Sequence, residues 1–598
     1  MRVSENIRRY KSIKMSQSSS LLRLPDELLA AIASYLTTSD LAAFGRACKL
    51  TYKISCEPLL WREPCVRTWR YWEQASELAE HLKLPPSQFE WRQLYIQRAQ
   101  TDRQALKLFN EMLSTQQNRL ARIQEITAHG YNVKDLLLKL KNGTPDSAED
   151  VLARRYYAKS ILGLMHRAMA LEKWAGLQHE QPVKLEEAIG AYDLFVLSGE
   201  RGDLTDIANE LDRIAKCIKD EAVDGDAEFD QLTTRQKAVR IARYLRSAKL
   251  VGNPNQDDYH ALRNNFISMA LFNDVHTSLP LQSVVIYCAV AQRLGVDASP
   301  SIYPAHVHAV IQGPQNLTLD GEPCDTVERM YMDPWRMDNE VPEDQLRAYL
   351  SQICLPLSQH DRYLGATSTL DMAFRTGRNI VVSVEDVRRR HQRTGIPIAG
   401  PDIEAASYST IWTTFLLGDS RLLQRYCLHP LIERFQVHFP EDLSLIETIL
   451  PIFEGEHEHQ MLVELIQAAR TNDSNGKTPS PRDDQAAGVQ YRVGQHSQHM
   501  RYGYYGFIIG WDSRCRASPN WIEQMRVDDL SRGREQPFYH VISDDKSARY
   551  VAEENIDLES VIEPPSQVLM QLAGRYFKRW DADEGKFESN IRDEYPDD

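Results

Sequence analysis

Residues 21–66 read LLRLPDELLAAIASYLTTSDLAAFGRACKLTYKISCEPLLWREPCV. Pro25 stands where the first residue of a helix belongs, because proline has no N–H to leave unbonded. Asp26 and Glu27 follow in the first turn, where the helix dipole favours anions. Leu28, Leu29, Ile32, Ala33 and Leu36 recur at helical spacing and form one apolar stripe. Thr38 or Ser39 is placed to cap a second helix carrying Leu41, Phe44 and Cys48 on one face. Leu59, Leu60 and Trp61 close the unit. A unit of about 45 residues has little interior of its own. Its apolar residues therefore have two tasks, packing inward and meeting a partner.

The whole chain has 598 residues, enough for roughly three to five folded units at ~150 residues each. Hydrophobic residues make up 42% and charged residues 26%, the proportions of globular protein. The net charge of -14 argues against a polyanion as the main partner, which would need clustered cations. The best apolar run, Val284 to Ala291, is far shorter than the ~18–20 residues of a membrane span, so no membrane partner is expected. The N-terminal residues MRVSENIRRYKSIKM lack the apolar core of a secretory signal. Nine scattered cysteines with no C-x-x-C argue against a disulfide framework or a zinc ribbon and for a reducing, cytoplasmic or nuclear setting.

The texture of the sequence divides it further. Residues 1–20 are polar and read as disordered, 21–66 as the helical unit above, and 67–190 as a helical connector. A helix-rich, then strand-bearing region follows over 191–360, and helices resume over 361–470. Residues 471–488, TNDSNGKTPSPRDDQAAG, hold almost nothing apolar and read as a linker. A β-patterned module occupies 489–562. The remainder, 563–598, reads as an acidic tail, with eight acidic and two basic residues from Asp581 onward, that stays solvated.

The first unit resembles an F-box. Leu24-Pro25 with Glu27-Leu28-Leu29, Tyr35-Leu36, Cys48 and Leu60-Trp61 carry the resemblance. It implies docking on the Skp adaptor of a cullin ubiquitin ligase, with Leu24, Pro25, Leu28, Leu29, Ile32, Leu36, Leu41 and Trp61 as adaptor-binding residues.

The central region holds DLTDIANELDRIAKCIKD, DDYHALRNNFISMAL, SLPLQSVVIYCAVAQRLGV, YPAHVHAVI and MYMDPW in that order. This resembles the transglutaminase-like family of the bacterial SirB type and implies an α+β core. In that wider superfamily a cysteine at a helix N-terminus is the nucleophile, a strand histidine the base and an aspartate on the next strand its orienter. His306 and Asp333 match the last two. The nucleophile position holds Pro-Leu-Gln-Ser, and Ser283 without activation is a weak nucleophile. Cys288 lies inside the apolar run and reads as core. Ser283, His306 and Asp333 are thus candidates for a vestigial triad, with the fold kept and acyl transfer absent. No cofactor is expected. His306 and His308 would share one face of a strand, but no third ligand stands at convincing spacing, so no metal is expected either. His457 and His459, among acidic neighbours, read as a solvated helix face or loop.

From Tyr491 the sequence YRVGQHSQHMRYGYYGFIIGWD alternates apolar and polar residues with glycines at 494, 503, 506 and 510, the pattern of short twisted strands and tight turns. QPFYHVI and ARYVAEENI add two strands, and a small β-barrel would remove exposed edges. Val493-Gly494-Gln495, Trp511-Asp512, Gln536-Pro537-Phe538-Tyr539 and Tyr550-Val551-Ala552 make the module similar to the YccV/HspQ-like family, a hemimethylated-DNA-binding type. Tyr502, Tyr504, Trp511, Trp521, Phe538 and Tyr539 are its recognition candidates. Nine Lys/Arg against eleven Asp/Glu over 489–562 favour a protein contact over a duplex.

The fold class expected is therefore multidomain α+β: a helical F-box, mostly helical connectors, a transglutaminase-like core and a small C-terminal barrel. The order of modules resembles a multi-module F-box protein. It implies a substrate-recognition subunit of a Skp–cullin–F-box ligase that acts by proximity on a protein substrate the sequence does not name. DNA binding through the last module and residual transglutaminase-like or protease-like activity are the alternatives.

Overall fold

The computed structural model describes residues 24–73, 75–197, 199–221, 228–252, 258–394, 400–483, 486, 488–558 and 564–598. Residues 1–20, read above as disordered, lie outside these. The chain forms two compact units, one of residues 1–158 with 467–598 and one of 159–466.

In the first unit, four short helices cover Asp26–Ala33, Thr38–Gly45, Lys49–Ser55 and Leu59–Thr68. Pro25 is the residue just before the first helix, and its carbonyl accepts from the Leu29 N–H at 3.1 Å. The second helix is capped by Thr37, one residue earlier than expected, whose hydroxyl accepts from the Asp40 N–H at 3.2 Å. The indole N–H of Trp61 donates to the Ser55 carbonyl at 2.6 Å and fixes the last helix on the third. Leu29, Ala33, Leu41, Ile54, Leu60, Trp61 and Cys65 share one core with Trp69, Trp72 and Trp91. Trp91 opens the long helix Trp91–Ser114, so residues beyond the F-box pattern complete its interior.

The same unit contains the C-terminal strands. Strands β5 (His496–His499), β6 (Tyr505–Asp512), β7 (Phe538–Ser543), β8 (Ala548–Ala552) and β9 (Ile556–Asp557) pair antiparallel in the order β8-β7-β6-β5-β9. The edge strands β8 and β9 are joined by one 3-10 turn, Glu553–Asn555, which curls the sheet back on itself. Among the described residues no ladder joins β8 to β9, so the barrel expected from the sequence is a curled sheet.

Two further expectations fail here. The acidic tail is folded: helix Gln567–Ala573 leads into a hairpin of β10 (Phe577–Asp581) and β11 (Lys586–Ser589). Phe577, Phe587, Ile591 and Tyr595 join the core of the five-stranded sheet. The count of carboxylates hid these spaced apolar side chains. The linker is tethered as well. Its first residues finish helix His457–Ser474, where Asp473 accepts from the Leu120 and Ala121 N–H groups at 2.9 and 3.1 Å and caps helix Arg119–Thr127. Arg482 bonds Asp598 Oδ1 at 2.6 Å and the carbonyls of Val489 and Tyr491 at 2.9 and 2.7 Å.

The second unit is helical around one small sheet. Strands β1 (Ala298–Pro300), β2 (Ala309–Gln312), β3 (Arg329–Met332) and β4 (Glu340–Val341) pair antiparallel in sequence order. Helix Pro280–Arg293 has Pro280 at its first position and is buried on nearly every side, matching its unbroken apolar run. Within this unit Arg167 forks onto Asp442, Nε to Oδ2 at 2.7 Å and Nη2 to Oδ1 at 2.6 Å, with both side chains buried. Among the described residues no helix is long and apolar enough to cross a membrane.

The Arg167–Asp442 pair yields a stability test. Arg167→Met leaves a buried carboxylate unpaired and is expected to cost about 3–5 kcal/mol, read by chemical denaturation of the full chain. Arg167→Met with Asp442→Leu should recover most of that loss, because the stranded charge is gone.

Candidate functional site

The F-box helices divide the expected adaptor residues by exposure. Pro25 is exposed, and Leu28 and Ile32, one helical turn apart, are 52% and 44% exposed. Tyr35, two residues past the end of that helix, is 90% exposed. Leu24 and Leu36 are half-buried, packed against the edge of the core. Leu29, Leu41 and Trp61 are core residues, Leu29 being 1% exposed. These three support the face from behind rather than forming it. Their stripe is wider than one interface because i, i+3 and i+4 positions on a short helix turn partly inward. Tyr35 was missed as a surface residue, although an aromatic just past a helix end was its signal.

In the transglutaminase-like region two of the three candidates, His306 and Asp333, are in contact. The register Ala309↔Met332 places His308, just before β2, opposite Asp333, just after β3. His306 and His308 lie in the segment leading into β2 rather than on the strand, with their ring centroids 5.1 Å apart. Ala305, at φ +62°, turns the chain there. His308 is held by its backbone, its N–H donating to Ser301 Oγ at 3.2 Å and its carbonyl accepting from the Ser301 N–H at 2.9 Å. His306 Nε2 stands 2.9 Å from Asp333 Oδ2. Burial works to raise the Asp333 carboxyl, and the His306 ring more than offsets it, leaving Asp333 below the usual carboxylate range. Burial, aided by the neighbouring His306, lowers His308 to about 4.

Ser283 makes its hydrogen bonds elsewhere. Its hydroxyl is fully buried, bonded to Ser278 Oγ at 2.7 Å and accepting from the Gly252 N–H at 3.1 Å. Gly252 has φ +97°, a conformation that suits glycine, and a Cβ there would press on the Trp335 carbonyl. Trp335 lies between the two groups in the bonding pattern. Its indole N–H donates to the Ser278 carbonyl at 2.8 Å and its ring meets His306 edge-on at 5.8 Å. Arg246 clamps the Asp333-Pro334-Trp335 turn through the carbonyls of Pro334 and Trp335 at 3.1 and 2.7 Å. Trp335, Ser278 and Arg246 were not singled out from sequence; only the tryptophan carried a signal, as the end of Met-Asp-Pro-Trp. Cys288 is fully buried in the helix interior, and burial pushes its thiol far above its ordinary range. His457 opens helix His457–Ser474, and His459 Nδ1 lies 3.2 Å from the Leu450 carbonyl.

The C-terminal sheet likewise sorts its candidates. Tyr502 is 64% exposed. Tyr504 is half-buried under the Arg549 guanidinium, 4.3 Å from its ring, and Trp521 is half-buried against Tyr550. Trp511, Phe538 and Tyr539 are buried, which removes them from any open recognition face. Trp511 donates its indole N–H to Asp598 at 2.9 Å, and Tyr539 its hydroxyl to Glu553 at 2.6 Å. Small barrels and curled sheets fill their interiors with such aromatics.

Three family descriptions match in the order these sites occur. F-box-like matches residues 21–67, the Transglutaminase-like superfamily 205–378, and Hemimethylated DNA-binding protein YccV like 489–584. The chain thus carries an F-box-like, a transglutaminase-like and a YccV-like region, in that order. Over 97% of its length it is similar to F-box only protein 21 of Pongo abelii and of Mus musculus, each 24% identical, and of Homo sapiens, 23% identical, covering 92% of each relative. No solved structure matches.

The buried serine pair gives a chemical test. Wild type and Ser283→Ala are expected to release no more product from glutamine amides or activated thioesters than buffer does. Turnover above background that Ser283→Ala abolishes would show that this hydroxyl reacts.

Proposed function

We propose that the protein is the substrate-recognition subunit of a Skp–cullin–F-box ubiquitin ligase, docking on the adaptor through Pro25, Leu28, Ile32 and Tyr35. The observation carrying this reading is an exposed apolar face on a unit whose core is already filled. Water-exposed leucine and isoleucine one turn apart stabilise a complex when a partner covers them, by about 1.5–3 kcal/mol for each fully buried side chain. The half-buried Leu24 and Leu36 would border that contact.

The protein itself makes no bond to ubiquitin in this reading. It holds a bound protein near the charged carrier, so that transfer becomes effectively intramolecular. Supporting a non-catalytic role, Ser283 is engaged with Ser278 and Gly252, and the nearest cysteine in the helix is a core residue. A protein contact at the C-terminal sheet fits its near-neutral balance of charge and the burial of Trp511, Phe538 and Tyr539 better than base stacking does.

Adaptor binding by the purified full chain is the test. Leu28→Ala with Ile32→Ala is expected to weaken it by roughly 30-fold or more, about 2 kcal/mol, with an unchanged melting temperature. Unchanged affinity would remove the docking assignment. Leu29→Ala, in contrast, should lower stability by about 2–5 kcal/mol, because it opens a cavity behind the face. Its loss of binding should follow the loss of folded protein.

A further inference from the structure

The sequence offered a His-x-His pair with no third ligand at a suitable spacing, and the fold supplies one. His306, His308 and Asp333 are each buried, and one ligand atom from each lies within 4.8 Å of the others. The carboxylate comes from the end of a neighbouring strand, 25 residues beyond His308, so no local motif could reveal it. We propose that these three residues bind one divalent transition-metal ion of the zinc class.

Three observations support the site. First, His308 Nδ1 is buried and makes no hydrogen bond, and His306 Nε2 has only the Asp333 carboxylate beside it, 2.9 Å away. A buried nitrogen left without a partner costs about 1–3 kcal/mol, a penalty that a bound cation would relieve. Second, two imidazoles and one carboxylate form a donor set that suits zinc and related ions and leaves a coordination position open. Ligand atoms around a tetrahedral zinc stand ~3.4 Å apart, as bonds of ~2.0–2.1 Å require. The 2.9 Å His306–Asp333 separation and the 4.8 Å limit bracket that value, so small ring rotations suffice. Third, the residues are braced from behind. The Ser301 hydroxyl and N–H hold the His308 backbone, Trp335 and Tyr303 flank the two rings edge-on, and Arg246 fixes the turn that carries Asp333. Such bracing orients ligands before an ion arrives.

Two guanidinium groups oppose the ion: Arg375, which is part-buried and donates to the Tyr303 carbonyl at 2.8 Å, and Arg336. Arg336 Nη1 lies 3.9 Å from Asp333 Oδ2. Its side chain is more than half exposed, so solvent screens it and it is free to swing away.

The test uses the full chain stripped of metal with a chelator and then titrated with Zn2+ against a chromophoric competitor. About one equivalent is expected to bind tightly. His308→Gln and Asp333→Asn should each weaken binding at least tenfold while keeping the unliganded melting temperature. Zinc should raise the melting temperature of wild type and of neither variant. Co2+ should give a d–d spectrum without a thiolate charge-transfer band, which separates this site from the nine cysteines. Equal zinc affinity in wild type and both variants, or a cobalt spectrum dominated by thiolate, would overturn the assignment. Should one variant unfold, the other together with the wild-type cobalt spectrum decides.

Discussion

A set of four short helices cannot bury both sides of itself, and the N-terminal part of the first unit is organised around that constraint. Its interior is completed by tryptophans from beyond the F-box pattern: Trp69 donates to Asp102 at 2.7 Å, Trp72 packs edge-on against Trp69, and Trp91 opens the next helix. With Leu29, Leu41 and Trp61 in that core, Leu28, Ile32 and Tyr35 remain exposed, as do Tyr52, Leu59 and Val66 elsewhere in the unit. Exposure of that kind is tolerated as a small patch, and a patch on a filled core fits the proposed docking face. The adaptor reading follows from this division of labour more than from the leucine stripe, which would fit many helical hairpins.

The C-terminal end of the same unit solves a related problem. A five-stranded sheet with open edges leaves one apolar face to cover. Helix Gln567–Ala573 and the β10–β11 hairpin cover it with Leu569, Phe577 and Phe587, and Tyr595 reaches Gly510, where any Cβ would collide with its hydroxyl. The requirement for glycine at 510 is thus set by a residue 85 positions away. Asp598 joins Arg482 and the Trp511 indole at the margin of this core.

What the sequence revealed and what it concealed follow the range of the interaction. Helix Pro280–Arg293, the amphipathic helix Leu204–Asp220 and the strands flanking Gly-Trp-Asp were legible because their patterns are local. The His306–Asp333 contact was legible only through family resemblance, since the pair depends on the β2–β3 register. The folded tail was misread because net charge averages over residues, whereas burial is decided one side chain at a time. The adaptor stripe was read too broadly for a similar reason: periodicity gives one apolar face and does not say which residues at its margin turn inward.

The central region holds its histidine and aspartate through the sheet. A histidine and an aspartate held by strand register need no nucleophile to stay where they are, because the sheet fixes them. Ser283 is absorbed into a network with Ser278 and Gly252, and the Trp335 indole completes it from the other side. Once the hydroxyl is engaged there, the imidazole of His306 has only the carboxylate beside it, and His308 keeps a buried nitrogen unpaired. Unpaired buried nitrogens are costly to retain. An imidazole and a carboxylate held in this way suit an electron-pair acceptor as well as a proton, so the donor set of the proposed metal site needs no change in backbone topology.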